Sequence, residues 1–187
     1  MRAPSLLPLG AVGALTLLAT APTRVFAVDY QSAEQAMHSL FPEAERFEKL
    51  DIALDAAQMK KLDEAGVRAR SARWQLHQAR RGDAVLGQVI VDEVIGKFEL
   101  ITYAVGFGSD GAVKQVEILS YRESHGSEIR LPAWRRQFAG KKASDPVELG
   151  QDISNISGAT LSCRHVTEGV KRLTRLVALL RSEGRSR

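Results

Sequence analysis

The C-terminal part of the chain carries a long helical pattern, and this pattern constrains the fold more than any other feature. Five apolar residues follow one another at steps of four and three positions: Val166, Val170, Leu173, Val177 and Leu180. This spacing places all five on one face and predicts an amphipathic helix over about residues 162–182. The basic residues of the segment lie off that face, and cations toward a helix end suit its dipole. Such a helix buries its apolar face against the rest of its domain.

Strand patterns are dense over residues 85–121. Residues 85–91 are nearly continuously apolar, and two further strand patterns, at 98–107 and 112–121, flank the turn sequence G-S-D-G at 108–111. A connection of this chemistry predicts an antiparallel hairpin. The second of these strands does not alternate cleanly between apolar and polar residues, which favours a bulge or twist near Glu117.

Shorter elements precede and follow these strands. Residues 32–41 predict a helix capped by Ser32, Leu50 to Leu54 alternate as in a half-buried strand, and Asp55 can cap a second helix that stops at Gly66. Residues 132–138 predict a short helix with Trp134 and Phe138 on one face. The fold class expected is α+β: an antiparallel or mixed sheet flanked by helices, with the long helix at the C-terminus.

The N-terminus has the pattern of a secretory signal. Arg2 precedes an apolar run of about 16 residues, and Val25-Phe26-Ala27 places small residues at both cleavage-site positions. The run is shorter than the roughly 20 residues of a bilayer span, although an uncleaved anchor is the alternative interpretation. We expect residues 1–27 to be a signal peptide, residues 28–84 an N-terminal extension packed on the domain, and residues 85–187 the main domain.

The charge of the chain argues against a nucleic-acid partner. Removal of the signal peptide would take away Arg2 and Arg24 and lower the formal charge from +4 to +2, too little for a nucleic-acid footprint. Residues 68–81 still contain five arginines and His77 around Trp74. Such a stretch either contacts anionic lipid or an acidic redox partner, or is a solvated strand face, the more common case.

The chain has one cysteine, Cys163, which excludes an intrachain disulfide and a four-cysteine iron–sulfur cluster. Nor does the sequence contain the C-x-x-C-H pattern of covalent haem. Cys163 is either a small buried apolar residue or, because it lies near a helix start, a thiol of lowered pKa.

The start of the predicted C-terminal helix is the main candidate site. The sequence there is Ser157-Gly158-Ala159-Thr160-Leu161-Ser162. A glycine lets a ligand approach the backbone closely, and free N–H groups at a helix start favour an anion such as a phosphate. Thr160 therefore offers a hydroxyl where a phosphate would fit. The alternative is that Thr160 or Ser162 simply caps the helix.

This stretch resembles the S/T-G-A-T-x-S/T flavinylation motif of the FMN-binding domain family. Residues 103–138 also resemble that family's strand, turn, strand and glutamate-containing loop, so the resemblance covers roughly residues 85–175. It implies that Thr160 carries FMN through a phosphoester bond. The other residues that it implies near the cofactor are Ser157, Gly158, Ala159, Leu161 and Ser162.

The loop after the second hairpin strand is the other part of the site that the resemblance implies. Glu123 and Gly126 match the family's E-T-P-G pattern, whereas Ser124 and His125 stand where Thr and Pro are usual. An imidazole beside a flavin could hydrogen-bond to the ring or couple proton uptake to its reduction. The alternative is that His125 is an exposed loop histidine.

The resemblance implies a periplasmic electron-transfer flavoprotein rather than a stand-alone enzyme. A periplasmic flavin transferase would attach FMN from FAD, and a membrane-bound quinone- or haem-linked partner would exchange electrons with it. The alternative is a module that holds FMN non-covalently, or an accessory domain without flavin. One departure concerns attachment: the family commonly has an acidic residue three positions before the first hydroxyl, where this chain has Ser154. Either the transferase recognises this chain more weakly, or Asp152, two residues upstream, substitutes through a shifted loop.

Overall fold

The structure, a computed structural model, describes residues 28–184. The predicted signal peptide and residues 185–187 lie outside the described residues. Within this range a six-stranded sheet carries helices on both faces, and each strand pairing in it is antiparallel. The expected α+β class is confirmed, and of the two sheet types expected the antiparallel one is observed.

The elements alternate between sheet and helix in the first half, and the long helix comes last. In chain order they are β1 (Val28–Asp29), α1 (Ala33–Leu40), β2 (Arg46–Ala53), α2 (Ala56–Glu64), β3 (Arg73–Arg81), β4 (Ala84–Ile95), β5 (Leu100–Gly108), β6 (Val113–Tyr121), a 3₁₀ turn (Ser127–Arg130), α3 (Pro132–Arg135), a second 3₁₀ turn (Arg136–Phe138) and α4 (Thr160–Ser182). The order across the sheet is β1-β6-β5-β4-β3-β2. Strands β2 and β3, from the predicted N-terminal extension, thus continue the sheet that the sequence located at 85–121.

The two faces of the sheet bury cores of different size. Helix α4 lies across one face together with α2, and its five predicted apolar residues are all fully buried there. The smaller helix α1 covers the other face, where Leu40 and Phe41 pack on Ala79, Val89 and Ala104. The apolar face that the sequence predicts for α4 is therefore buried in the structure. Its packing in the main core holds the helix on the sheet.

Ser32 and Asp55 cap the two short N-terminal helices, as the sequence predicts, and in each case the cap is part of a capping box. The Ser32 hydroxyl accepts a hydrogen bond from the backbone N–H of Gln35, and the Gln35 side chain accepts one from the backbone of Ser32. Asp55 and Gln58 make the same reciprocal pair at the start of α2. Two N–H groups that the helix itself leaves unpaired are satisfied at each start.

The irregularity predicted near Glu117 consists of two bulges that flank it. Thr102 pairs with Ser120 while Tyr103 pairs with Ile118, which leaves Leu119 as the extra residue. A second register shift leaves Lys114 as the extra residue on the same strand. Each extra residue reverses the inward and outward alternation of the strand, and this explains why β6 shows no clean period.

The segment between β6 and α4 packs against β6. The predicted helix at 132–138 is one turn of α-helix followed by a 3₁₀ turn, and the rings of Trp134 and Phe138 meet edge to face at 5.1 Å. Both residues are buried. Among residues 28–184, no helix combines the length and apolar character needed to cross a bilayer.

Candidate functional site

A pocket of about 330 Å³ lies between the start of α4, the loop after β6 and the turn that joins β4 to β5. Its lining includes eight of the ten residues expected from the sequence: Glu123, Ser124, His125, Gly158, Ala159, Thr160, Leu161 and Ser162. The fold thus brings together two stretches that are separated by more than thirty residues in sequence. Ser157 and Gly126 each adjoin a lining residue in the sequence, but they do not line the pocket themselves.

The start of α4 has no side-chain cap. The alternative interpretation that Thr160 or Ser162 caps the helix is therefore wrong. The helix begins at Thr160, two residues earlier than the apolar period predicts, and its N-cap is Ala159. Neither Thr160 nor Ser162 caps it, because both residues lie inside the first turn. The first N–H groups of this 23-residue helix therefore lack the side-chain acceptor that α1 and α2 have, and they lie beside the pocket.

The Thr160 side chain is exposed at the pocket, and one neighbour orients it. The Asn155 side-chain amide donates a hydrogen bond of 3.0 Å to Thr160 Oγ1. The donor leaves the hydroxyl proton of Thr160 free to point elsewhere. Gly158, two residues before Thr160, has a φ of 83° and open space where a Cβ would be. This left-handed backbone turns the chain into the helix and favours glycine.

Gly126 lies close against the start of α4. Its φ is 88°, and a Cβ at this position would lie only 2.5 Å from the Cβ of Ala159 and 2.7 Å from the hydroxyl oxygen of Tyr121. Any larger residue would therefore push the loop away from the start of α4. Gly126 thus sets the distance between the two walls of the pocket.

Glu123 fastens the β4–β5 turn. Its Oε1 accepts hydrogen bonds from the backbone N–H groups of Phe98, at 2.6 Å, and Glu99, at 3.0 Å. Partial burial raises the pKa of Glu123, but the backbone N–H groups of Glu99, Phe98 and Lys97 and the Lys97 ammonium outweigh it, so the pKa lies below its ordinary value. The carboxylate also fits closely against Gly96, where a Cβ would lie 2.5 Å from Oε1.

The turn that Glu123 holds supplies two pocket residues that the sequence analysis did not select. Lys97 adds a cation to the lining, and Phe98 adds an aromatic ring that is 74% exposed. The Lys97 ammonium lies 4.8 Å from the centroid of that ring. Leu161, which is 41% exposed, provides a second apolar surface at the pocket. The lining therefore combines a cation, a helix start and apolar surface.

Tyr121 links the two walls of the pocket. Its hydroxyl donates to the backbone carbonyl of His125 and lies 3.1 Å from Ser162 Oγ. Because the Tyr121 proton goes to a carbonyl, which only accepts, Ser162 is the donor of the second bond. Ser162 is buried and engaged in this way, whereas Thr160 is exposed. His125 is exposed at the pocket, and its backbone carbonyl is the group that Tyr121 holds.

The carboxylate of Asp152, the acidic residue upstream of the motif, is engaged within its own loop and with Lys141. It accepts from the backbone N–H groups of Val147 and Glu148, at 3.2 and 2.7 Å, and forms an ion pair of 2.9 Å with Lys141. Ser154, at the position where the family has an acid, uses its backbone to bond to Gln137 and Trp134. Asn155, just before the motif, is the residue whose side chain bonds to Thr160.

Cys163 is fully buried in the main core, and burial raises its pKa. The alternative of a reactive thiol of lowered pKa is therefore wrong, since the helix start lies one turn away while apolar side chains surround the sulfur. Within the described range, no group of three or more His, Cys, Asp or Glu residues could hold a metal ion.

Comparison with known proteins identifies the part of the chain that builds the pocket. Residues 96–175 match the FMN-binding domain family. The match runs from the β4–β5 turn to the middle of α4, so it includes all the lining residues, and it confirms the resemblance seen in the sequence. It also supports FMN as the cofactor of this domain.

Two relatives extend the comparison. A subunit of the ion-translocating oxidoreductase complex of Erwinia tasmaniensis is 29% identical over 120 residues, which are 56% of either chain, so this chain spans just over half the length of that curated relative. A crystal structure of NqrC from Shewanella oneidensis superposes with a TM-score of 0.55 at 15% identity, over 79% of this chain and 88% of that chain. The second likeness shows that the two proteins share a fold.

Proposed function

We propose that the protein is a periplasmic electron-transfer flavoprotein that carries FMN on Thr160 through a phosphoester bond. The observation that carries this proposal is the exposed Thr160 hydroxyl in the first turn of an uncapped helix, inside a pocket of an FMN-binding domain. The relative from Erwinia tasmaniensis is described as part of an oxidoreductase complex. We extend that role to this chain: it exchanges electrons with a membrane-associated quinone- or haem-linked partner and is not a stand-alone enzyme.

The pocket suits each part of FMN. The free N–H groups of the first turn of α4 and its positive dipole end favour the phosphate. Phe98 and Leu161 offer apolar surface to the flavin ring, while the polar loop at 123–125 offers hydrogen-bonding groups to its edge. A volume of about 330 Å³ lies within the usual range for cofactor pockets, roughly 300–1,000 Å³.

Attachment needs a donor and a separate enzyme. In the proposed reaction a flavin transferase joins the Thr160 oxygen to the FMN phosphorus of FAD. The bond between the two phosphates of FAD breaks, AMP leaves, and the Thr160 proton is released. The Asn155 amide, which donates to Thr160 Oγ1, would hold that oxygen in place while its proton stays available. The bound flavin supplies the redox chemistry, and the protein sets its environment.

The location and the domain division complete the proposal. Residues 1–27 are removed on export, residues 85–187 hold the flavin, and residues 28–84 pack on that domain through the shared sheet. A covalent bond to the flavin would suit this compartment, because a cofactor that diffuses away outside the cytoplasm is lost.

The test is the intact mass of protein purified from the periplasm after co-expression with a flavin transferase. We expect a chain that begins at Val28 and carries the mass of one esterified FMN, with flavin fluorescence in a denaturing gel. Thr160→Ala should lose the added mass and the fluorescence, whereas the matched hydroxyl deletions Ser157→Ala and Ser162→Ala should keep the flavin. Flavin that stays with Thr160→Ala through denaturation would falsify the attachment site. Flavin that is bound but released on denaturation in the unmodified chain would favour the non-covalent module.

A further inference from the structure

A second concave site lies further along α4 and shares no lining residue with the flavin pocket. It is a cleft of about 400 Å³ between α4, the loop after α2 and the loop at 147–149. We call it the basic cleft because five cationic side chains line it, against two carboxylates. The cations are Arg68, Arg70, Arg164, Lys171 and Arg172, and the carboxylates are Glu148 and Glu168.

The cations of the basic cleft are only partly neutralised. Lys171 and Glu148 make a loose pair at 4.0 Å, and Arg172 pairs with Asp92 at 2.8 Å. Arg68 and Arg164 are exposed, and neither side chain makes a hydrogen bond or ion pair with another residue between 28 and 184. Cations that converge on a concave surface without partners raise the local concentration of anions.

Arg172 provides an independent sign that a ligand belongs here. The residue is only 8% exposed and lines the cleft, yet its Nε is buried with no hydrogen-bond partner among the described residues. A buried guanidinium N–H left without an acceptor costs free energy, and such groups are rare in native structures. Because Nε itself has almost no exposed surface, a small shift of the Arg172 side chain would let an oxygen atom of a bound anion supply the missing acceptor.

One wall of the cleft is held firmly. The backbone N–H groups of Val147 and Glu148 are both bonded to the Asp152 carboxylate, which Lys141 in turn neutralises. The opposite wall is the side of α4, which the main core fixes on the sheet. The backbone of these two walls is therefore in place before a ligand arrives, which reduces the ordering cost of binding.

We propose that the basic cleft binds a multivalent oxyanion of the phosphate class, independently of the flavin site. The forked donors of arginine match the oxygen atoms of a phosphate. Free inorganic phosphates and the phosphate headgroup of an anionic lipid present the same chemistry, so the experiment includes both sources.

The experiment titrates pyrophosphate into the uniformly ¹⁵N-labelled protein at low ionic strength and follows the backbone amides. We expect saturable shifts concentrated at residues 66–70, 147–149 and 164–171. The double variant Arg68→Gln/Arg164→Gln should weaken binding by about tenfold or more, because two charge-assisted contacts are lost. The matched control Lys49→Gln/Lys60→Gln removes the same charge from exposed sites outside the cleft and should bind as the unmodified protein does.

Three results would overturn the proposal: no saturation, equal weakening in both double variants, or shifts confined to the flavin pocket at 158–162. Arg68 and Arg164 are exposed, so their removal should not unfold the protein.

The second arm is sedimentation with phosphatidylcholine vesicles that contain phosphatidic acid. Vesicle binding lost only in the cleft variant assigns the site to a lipid headgroup. If pyrophosphate binds with the expected dependence while vesicles do not, the ligand is a soluble phosphate.

Discussion

The three longest helices in the described chain differ in whether a side chain caps the first turn. Helices α1 and α2 each begin with a complete capping box, in which side chains satisfy the backbone N–H groups of the first turn. Helix α4 is the longest of the three, yet its N-cap is an alanine and no side chain caps it. The uncapped start is also the one that lies at the proposed flavin pocket. Among these three helices, the two starts that lie away from the pocket are capped by side chains, and the start where we propose that a phosphate binds leaves its N–H donors free.

The largest effect that tests this comparison is on stability. Ser32→Ala and Asp55→Ala should each lower the free energy of unfolding by about 0.5–2 kcal/mol, because each removes a cap. Thr160→Ala should change it by less than about 0.5 kcal/mol, since Thr160 caps nothing and is exposed. Denaturant unfolding of the three variants, each without flavin, measures these free energies of unfolding. A loss for Thr160→Ala as large as that of the cap variants would remove the distinction between the helix starts.

The same variants should show the reverse order in flavin content. Because the caps of α1 and α2 lie away from the pocket, Ser32→Ala and Asp55→Ala should keep full flavin attachment. Such a result would show that the loss of flavin in Thr160→Ala does not follow from a loss of stability.

The next effect is on the rate of attachment. Asn155→Ala removes the donor that orients Thr160 Oγ1, and we expect flavin attachment to slow several-fold while the free energy of unfolding changes by less than about 0.5 kcal/mol. A time course of attachment with purified transferase and FAD measures the rate. The matched control is Ser154→Ala, because the bonds of Ser154 to Gln137 and Trp134 use its backbone, and its rate should equal that of the unmodified protein. An unchanged rate in Asn155→Ala would mean that the amide does not position the hydroxyl.

The smallest effect is a local response to pH at the opposite wall of the pocket. The pKa of Glu123 is lowered in the folded protein, so the hydrogen bonds to Phe98 and Glu99 contribute stability above the ordinary glutamate pKa, and this is lost as the pH falls through the lowered value. The amide shifts of Phe98 and Glu99 should therefore titrate with a midpoint below that of an ordinary glutamate. Glu123→Gln should abolish this titration, and a midpoint at or above the ordinary value would contradict the assignment.

The sequence by itself determined the elements whose causes are local. The period of α4, the caps Ser32 and Asp55, and the hairpin around the G-S-D-G turn each depend on residues a few positions apart, so their chemistry is visible in the chain. The family resemblance added the two stretches of the pocket. That these two stretches lie close together was implied by the resemblance to the family, and no spacing within this sequence predicts it.

Only the tertiary structure decided how the site is built. That Asn155 contacts Thr160, that Glu123 fastens the turn carrying Lys97 and Phe98, and that Gly126 sets the distance to Ala159 all depend on how the folded segments pack. The basic cleft likewise joins three segments that are far apart in the chain. Local patterns carry no information on these contacts, because burial and close approach are fixed only when the sheet places α4 against the loops.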